Sequence, residues 1–278
     1  MNRLSLEKRS QIIGLLVDGN SLRATTRLTG ASKNTVAKLL VDLGKACQKY
    51  HDENVRGVAA RRIECDEIWA FVYGKGKNLP TKYRGQYGMG SIWTWVALDV
   101  DSKLAVSWLV GNRDAMCARI LMADVESRLK NRVQLTTDGL KAYLDAVDEA
   151  FGACVDFAQL VKLYGKPLDG DHRYSPVERS GIIKTPITGN PKHISTSYVE
   201  RQNLTMRMNM KRFTRLTNAF SKKVQNHAHA VALHFMYYNF CSIHKTLRVT
   251  PAYEAGLTKK LWDIEDLALL LETQGKSN

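Results

Sequence analysis

Acidic side chains are in short supply: 27 Asp and Glu stand against 41 Lys and Arg, a formal net charge of +14 over 278 residues. The basic excess is spread along the chain instead of being gathered in one tail, which points to a polyanionic partner, nucleic acid first. Long apolar runs are missing too. None reaches the ~18 residues of a membrane-spanning helix, and the N-terminus lacks the apolar core of a signal peptide, so a cytoplasmic protein with no membrane partner is expected. Cysteine is sparse. Cys47, Cys65, Cys117, Cys154 and Cys241 lie far apart with no Cys-x-x-Cys, which argues against a zinc cluster or a disulfide framework. What is present is 44% hydrophobic residues, enough for a packed core in one large domain or one medium domain with an appendage.

Apolar residues at Leu4, Leu6, Ile12, Ile13, Leu15, Leu16 and Val17 keep a helical spacing that ends at Gly19 and Asn20. Ser21 can cap a second helix, Leu22 to Leu28, ended by Gly30; Ser32 can cap a third, from Lys33 through Leu43. A short helix, a Gly turn and a helix opening on Lys33 and Asn34 form the pattern of an all-α helix-turn-helix domain over 1–47, with Lys33, Asn34 and Lys38 facing DNA. A plain three-helix module with solvated lysines fits the same residues. The polar stretch 48–60 has no apolar period and reads as a linker.

The run Ile63 to Tyr73 is rich in β-branched and aromatic residues and is closed by a turn at Gly74 to Lys77, so a first buried strand is expected there. By alternation Asp66 shares a face with Ile68 and Ala70, where an unpaired carboxylate costs about several kcal/mol. The basic, Gly-rich stretch up to Gly90, with Lys75 and Lys77, suits a connecting loop near DNA or a solvated hairpin. Strands at Ser91–Val100 and Lys103–Val110 extend a meander, Asp114 caps a helix to Leu129, and a strand at Val133–Thr137 delivers Asp138. A helix at Leu140–Phe151 and a strand at Val155–Leu160 complete a mixed α/β order, β-β-β-α-β-α-β.

Residues 161–196 show no period and are expected to form a long basic loop, whose Lys162, Lys166, His172, Arg173, Lys184, Lys192 and His193 would contact DNA or a partner. Ser197 can cap a helix, Tyr198 to Phe213, on which Glu200, Asn203 and Arg207 share one face. A long helix from Ser221 to about Cys241, with His227 and His234 as packing residues, and a tail over 256–278 make a helical C-terminal part.

Asp66, Asp138 and Glu200 stand 72 and 62 positions apart, yet this element order allows the first and fourth strands to be neighbours with a helix crossing them. Three converging carboxylates take up protons unless a cation sits among them. Oxygen ligands in basic surroundings suit two magnesium ions, or manganese, holding the attacking and leaving oxygens of an in-line phosphoryl displacement. Asp66 would bridge both ions, Asp138 and Glu200 would complete one site each, and Arg207 would meet a phosphate. Three unrelated surface acids remain the alternative on spacing alone.

The local text narrows the choice. Cys65-Asp66-Glu67-Ile68-Trp69, Thr136-Thr137-Asp138-Gly139 with Tyr143 following, and Tyr198-Val199-Glu200-Arg201-Gln202-Asn203-Leu204 resemble, in order, the three signatures of the insertion-sequence-one type of DDE transposase. Arg207, Tyr238-Asn239, His244-Lys245-Thr246-Leu247 and Thr250-Pro251 continue the likeness to about residue 255. The resemblance implies a ribonuclease-H-like domain over 61–255 with Asp66, Asp138 and Glu200 as a magnesium-binding catalytic triad. It implies cleavage at a transposon end, then attack of the freed 3′-hydroxyl on target DNA with no covalent protein intermediate. Double-stranded DNA, a homodimer or higher oligomer and a prokaryotic nucleoid location follow from it, with His193 and Asn203 as neighbours of the site. The N-terminal cysteine zinc module that members often carry cannot be formed here. A non-catalytic helix-turn-helix regulator and a ribonuclease-H-like nuclease or resolvase are the other readings.

Overall fold

The computed structural model describes residues 4–164, 179–214 and 216–273. Its centre is β1 (Arg62–Val72), where apolar residues alternate so densely that most side chains are buried on both faces. β1 pairs antiparallel with β2 (Gly90–Asp99), setting Asp66 opposite Val96, and parallel with β4 (Val133–Asp138), setting Cys65 beside Thr137. With β3 (Ala105–Gly111), β5 (Val155–Tyr164) and β6 (Arg179–Thr188), the described residues form a six-stranded mixed sheet in the order β3-β2-β1-β4-β5-β6. The parallel pairs are joined through α4 (Ala115–Arg128) and α5 (Ala142–Phe151), which pack on one another. This order is consistent with a ribonuclease-H-like arrangement.

The expected loop 161–196 is corrected in part. β5 runs on to Tyr164, and β6 pairs with it antiparallel, Lys162 opposite Ile182. The strand left no period because β6 is the sheet's edge and is exposed on both faces, Ile182, Ile183 and Ile187 included, so backbone pairing and not burial defines it. Lys166, His172 and Arg173 lie outside the described residues.

Three helices open the chain: α1 (Leu6–Val17), α2 (Leu22–Thr29) and α3 (Lys33–Asn54). Ser21 and Ser32 cap the second and third by accepting the Ala24 and Thr35 N–H groups, and Gly30 ends α2 at φ 70°. The expected linker 48–60 is instead helical as far as Asn54. Buried Arg128 holds this end, donating to Asp52, Asp124 and the carbonyls of His51 and Val55. Its polar text served this clamp, so it showed no apolar stripe.

Further along come α6 (Ser197–Asn209), α7 (Val224–Met236), the short α8 (Pro251–Glu254) and α9 (Ile264–Thr273). The expected helix 221–241 starts instead at Val224 and widens into a π-turn at Tyr237–Cys241, where buried Asn239 both donates to and accepts from the main chain of Ala105 on β3. α3 crosses α7 at Gly44, where a Cβ would meet His229 Cβ at 2.4 Å. The core therefore runs unbroken from Ile12 to Leu270.

Candidate metal centre

β1 and β4 lie side by side and parallel, which brings Asp66 and Asp138 to the same level of the sheet. Each offers a carboxylate oxygen, and with one from Glu67 the three lie within 4.8 Å of one another. Glu67 should point to the opposite face from Asp66. β4 ends at Asp138, however, leaving β1 unpaired on that side beyond Cys65.

Positive charge converges on this cluster. Arg113, in the turn after β3, donates to Glu67 Oε2 at 3.0 Å and Asp138 Oδ2 at 2.9 Å. The Tyr143 hydroxyl of α5 donates to Glu67 Oε1. Burial, then repulsion from Asp138, raises Glu67 to about 7. Asp66 is raised to about 6 by burial and by Asp138, with Glu200 adding to the repulsion.

Glu200 stands outside the cluster. Its carboxylate on α6 accepts from Thr196 Oγ1 and is ion-paired with Lys162 Nζ of β5. Lys162, expected to meet DNA, thus meets an acid of the same chain. The capping expected of Ser197 is corrected as well: Thr196 is the N-cap residue and makes no side-chain cap bond. Buried Glu64 does that work from β1, its Oε2 accepting the N–H groups of Tyr198 at 2.8 Å and Val199 at 3.1 Å.

Asn203, one turn on from Glu200, is buried and donates to Asp66 Oδ2 at 2.9 Å. Its Oδ1 is buried with no hydrogen-bond partner among the described residues. An all-oxygen donor set of three carboxylates with an orphaned amide oxygen beside it fits a hard divalent cation.

The other expected site residues are spread out. Arg207 donates to the Phe213 carbonyl at 3.2 Å. His193 is exposed, its backbone held by Gln134, and lines a cleft of about 310 Å³ with Glu64, Lys184, Lys192 and Tyr198. Lys33 and Asn34 are exposed in the first turn of α3, where Lys38 pairs with Asp42. Lys77 is exposed in a short turn, and Lys75 lies over the Phe71 ring, 5.8 Å from its centroid.

No protein-family model matches the chain, and no curated protein matches it in sequence. Among solved structures it is similar to a piggyBac transposase synaptic complex with hairpin DNA, at 8% identity and a TM-score of 0.43, over 98% of this chain and 72% of that one. At that distance the chemistry rests on the site itself.

Sequence reasoning passed over Glu67, Arg113, Tyr143 and Glu64 as site residues. Glu67 and Tyr143 stood inside two of the quoted signatures, which was the available signal. Arg113 follows Gly111 and Asn112 in a turn that carries no motif.

Proposed function

We infer that this chain is a DNA transposase of the DDE type, similar to the insertion-sequence-one type, that binds the ends of its element and cuts and joins DNA. The observation that carries the reading is the meeting of Asp66 and Asp138, 72 positions apart, in one oxygen-donor cluster with Asn203 of α6 beside it. Asp66, Asp138 and Glu200 are the proposed metal ligands, with Glu67 next to them. Bound there, magnesium or manganese would supply Lewis-acid stabilisation of the attacking and leaving oxygens of a phosphodiester.

The chain's own groups divide the remaining work. Asn203 orients the Asp66 carboxylate, and Arg113 holds Asp138 against Glu67. Glu64 fixes the first turn of α6 and hence the height of Glu200 above the sheet. Lys33, Asn34 and Lys38, on the exposed start of α3, are the proposed readers of the DNA ends, with Arg207, Lys75 and Lys77 toward the backbone. Two ends held together call for two or more protomers.

A non-catalytic DNA-binding regulator is the second reading, favoured by one observation: Lys162 and Arg113 already neutralise Glu200 and Asp138. Strand cleavage and joining on a labelled duplex from the flanks of its gene, with magnesium, separates the two. The transposase reading expects the native chain to cut and join while Asp66→Asn binds equally and does neither. Equal binding without cleavage by the native chain, in magnesium and in manganese, would install the regulator.

A further inference from the structure

β1 carries Trp69 and Phe71 on alternate positions of one face, and Tyr73 stands just past its end. Trp69 is the register partner of Trp93 on β2, and Arg113, which grips Asp138, lies over the Trp93 ring at 4.9 Å. From Trp69 the rings continue: Phe71 at 5.8 Å, then Phe220 at 5.1 Å from Phe71. Tyr73 and Tyr83 meet edge-on at 4.7 Å. Lys222 joins the two groups, 4.2 Å from the Phe220 centroid and 5.7 Å from that of Tyr73, while Lys82 lies over Tyr83 at 4.8 Å. An aromatic track with cations on its ring faces thus leads away from the acidic cluster.

Three further observations say what the track is for. The two segments that build most of it, 68–98 and 201–253, contain no Asp or Glu at all, so the surface is matched to a polyanion. No carboxylate pairs with Lys75, Lys82 or Lys222 among the described residues, which leaves their charge to the ring faces and to whatever binds. Tyr73, 37% exposed, is held at φ 68°, a left-handed conformation unfavourable for an aromatic residue, by its N–H bond to the Ser221 carbonyl at 2.8 Å. That bond spends local strain on presenting a tyrosine to solvent, where core packing gains little from it.

Resting on the transposase reading above, we propose that this track binds a single-stranded stretch of DNA next to the cutting site. Bases take the faces of Tyr73, Tyr83 and Phe220, and the displaced ammonium groups move to the phosphates between them. Duplex DNA keeps its bases stacked on each other and cannot use the rings. The reading unit at α3 and this track would therefore hold different forms of one substrate.

The test titrates the full chain with a labelled single strand of about 12 nucleotides, inside the footprint usual for such sites, and with the same sequence as duplex. Tyr73→Leu with Tyr83→Leu keeps apolar bulk and removes both π-faces. The expected result is single-strand affinity lower by at least about 5-fold and up to about 150-fold, the worth of one stacked base, with duplex affinity within about twofold. A 2-aminopurine in the strand should be quenched by the native chain and not by the variant. Equal losses on both DNAs, or no loss on either, overturns the proposal. If that variant melts below the native chain, Tyr83→Leu with Lys222→Gln, the first in the one-turn 3-10 helix Thr81–Tyr83 and the second in the bend before α7, carries the same expectation and the same refutation. Asp66→Asn, run alongside, should bind the single strand as the native chain does. A failed track with cleavage intact removes this inference alone; a working track without cleavage removes the transposase reading alone.

Discussion

The buried carboxylate of Glu64 accepts the main-chain N–H of Tyr198 at 2.8 Å, joining the middle of the sheet to the start of α6 across 134 residues. With no side-chain cap of its own, α6 depends on that bond and its neighbour to Val199. Glu64→Ala should therefore cost about 1–3 kcal/mol, the range for a buried donor left unsatisfied. Glu64→Gln keeps an acceptor and should cost less. Urea unfolding of both variants checks the order, and equal losses would show that the cap is not what Glu64 supplies.

Asp66 and Glu67 carry the clearest pH signature. Their native values, about 6 and about 7, lie above the 3.8 and 4.5 of the free groups. The native state therefore holds protons that the unfolded chain has released. Their contribution is complete below about pH 4 and is lost as pH rises through 6 to 7. Divalent cations need the carboxylates ionised, so magnesium or manganese should raise the melting temperature more at pH 7.5 than at pH 5.5, both chosen to bracket roughly the two values. Asp66→Asn should flatten that difference. Cation stabilisation independent of pH would remove these acids from the cation's binding site.

If Glu200 joins the proposed cation site, its ion pair with Lys162 competes with the cation. The pair is partly exposed, 18% and 35%, which places its worth at about 1 kcal/mol or less. Lys162→Gln should accordingly tighten manganese binding by no more than about fivefold, read from the paramagnetic signal of the free ion. Weaker binding in this variant would mean that the lysine holds Glu200 in place for the cation instead of against it.

Gly44 tests the joint between the first helices and the rest. A methyl group there meets the His229 backbone at 2.7 Å, which no rotamer change relieves. Gly44→Ala should destabilise the protein by about 1–3 kcal/mol or more through overpacking, although alanine is the better helix former by about 1 kcal/mol. A stabilised variant in thermal melts would mean that α3 and α7 part readily.

Local chemistry was legible in the residues themselves. Ser21, Ser32 and Asp114 were readable as caps because a cap needs only a short acceptor and an N–H three residues on. The order β-β-β-α-β-α-β followed from apolar alternation, which also allowed the first and fourth strands to be neighbours; their parallel register, which sets Asp66 and Asp138 at one level, came from the structure. β6 escaped notice because an edge strand exposed on both faces has no burial pattern to write into its sequence.

The amino-acid order by itself determined where the capped helices α2, α3 and α4 begin, that β1 is a central strand, and that Asp66 and Asp138 stand on strands of that centre. Only the tertiary structure decided who answers each charge: Arg113 for Glu67 and Asp138, Lys162 for Glu200, Asn203 for Asp66 and Glu64 for the end of α6. Those partners stand 25 to 137 residues apart. The period of a strand or helix tells which face a side chain takes, whereas a contact at such range is set by sheet register and helix crossing, which no local pattern records.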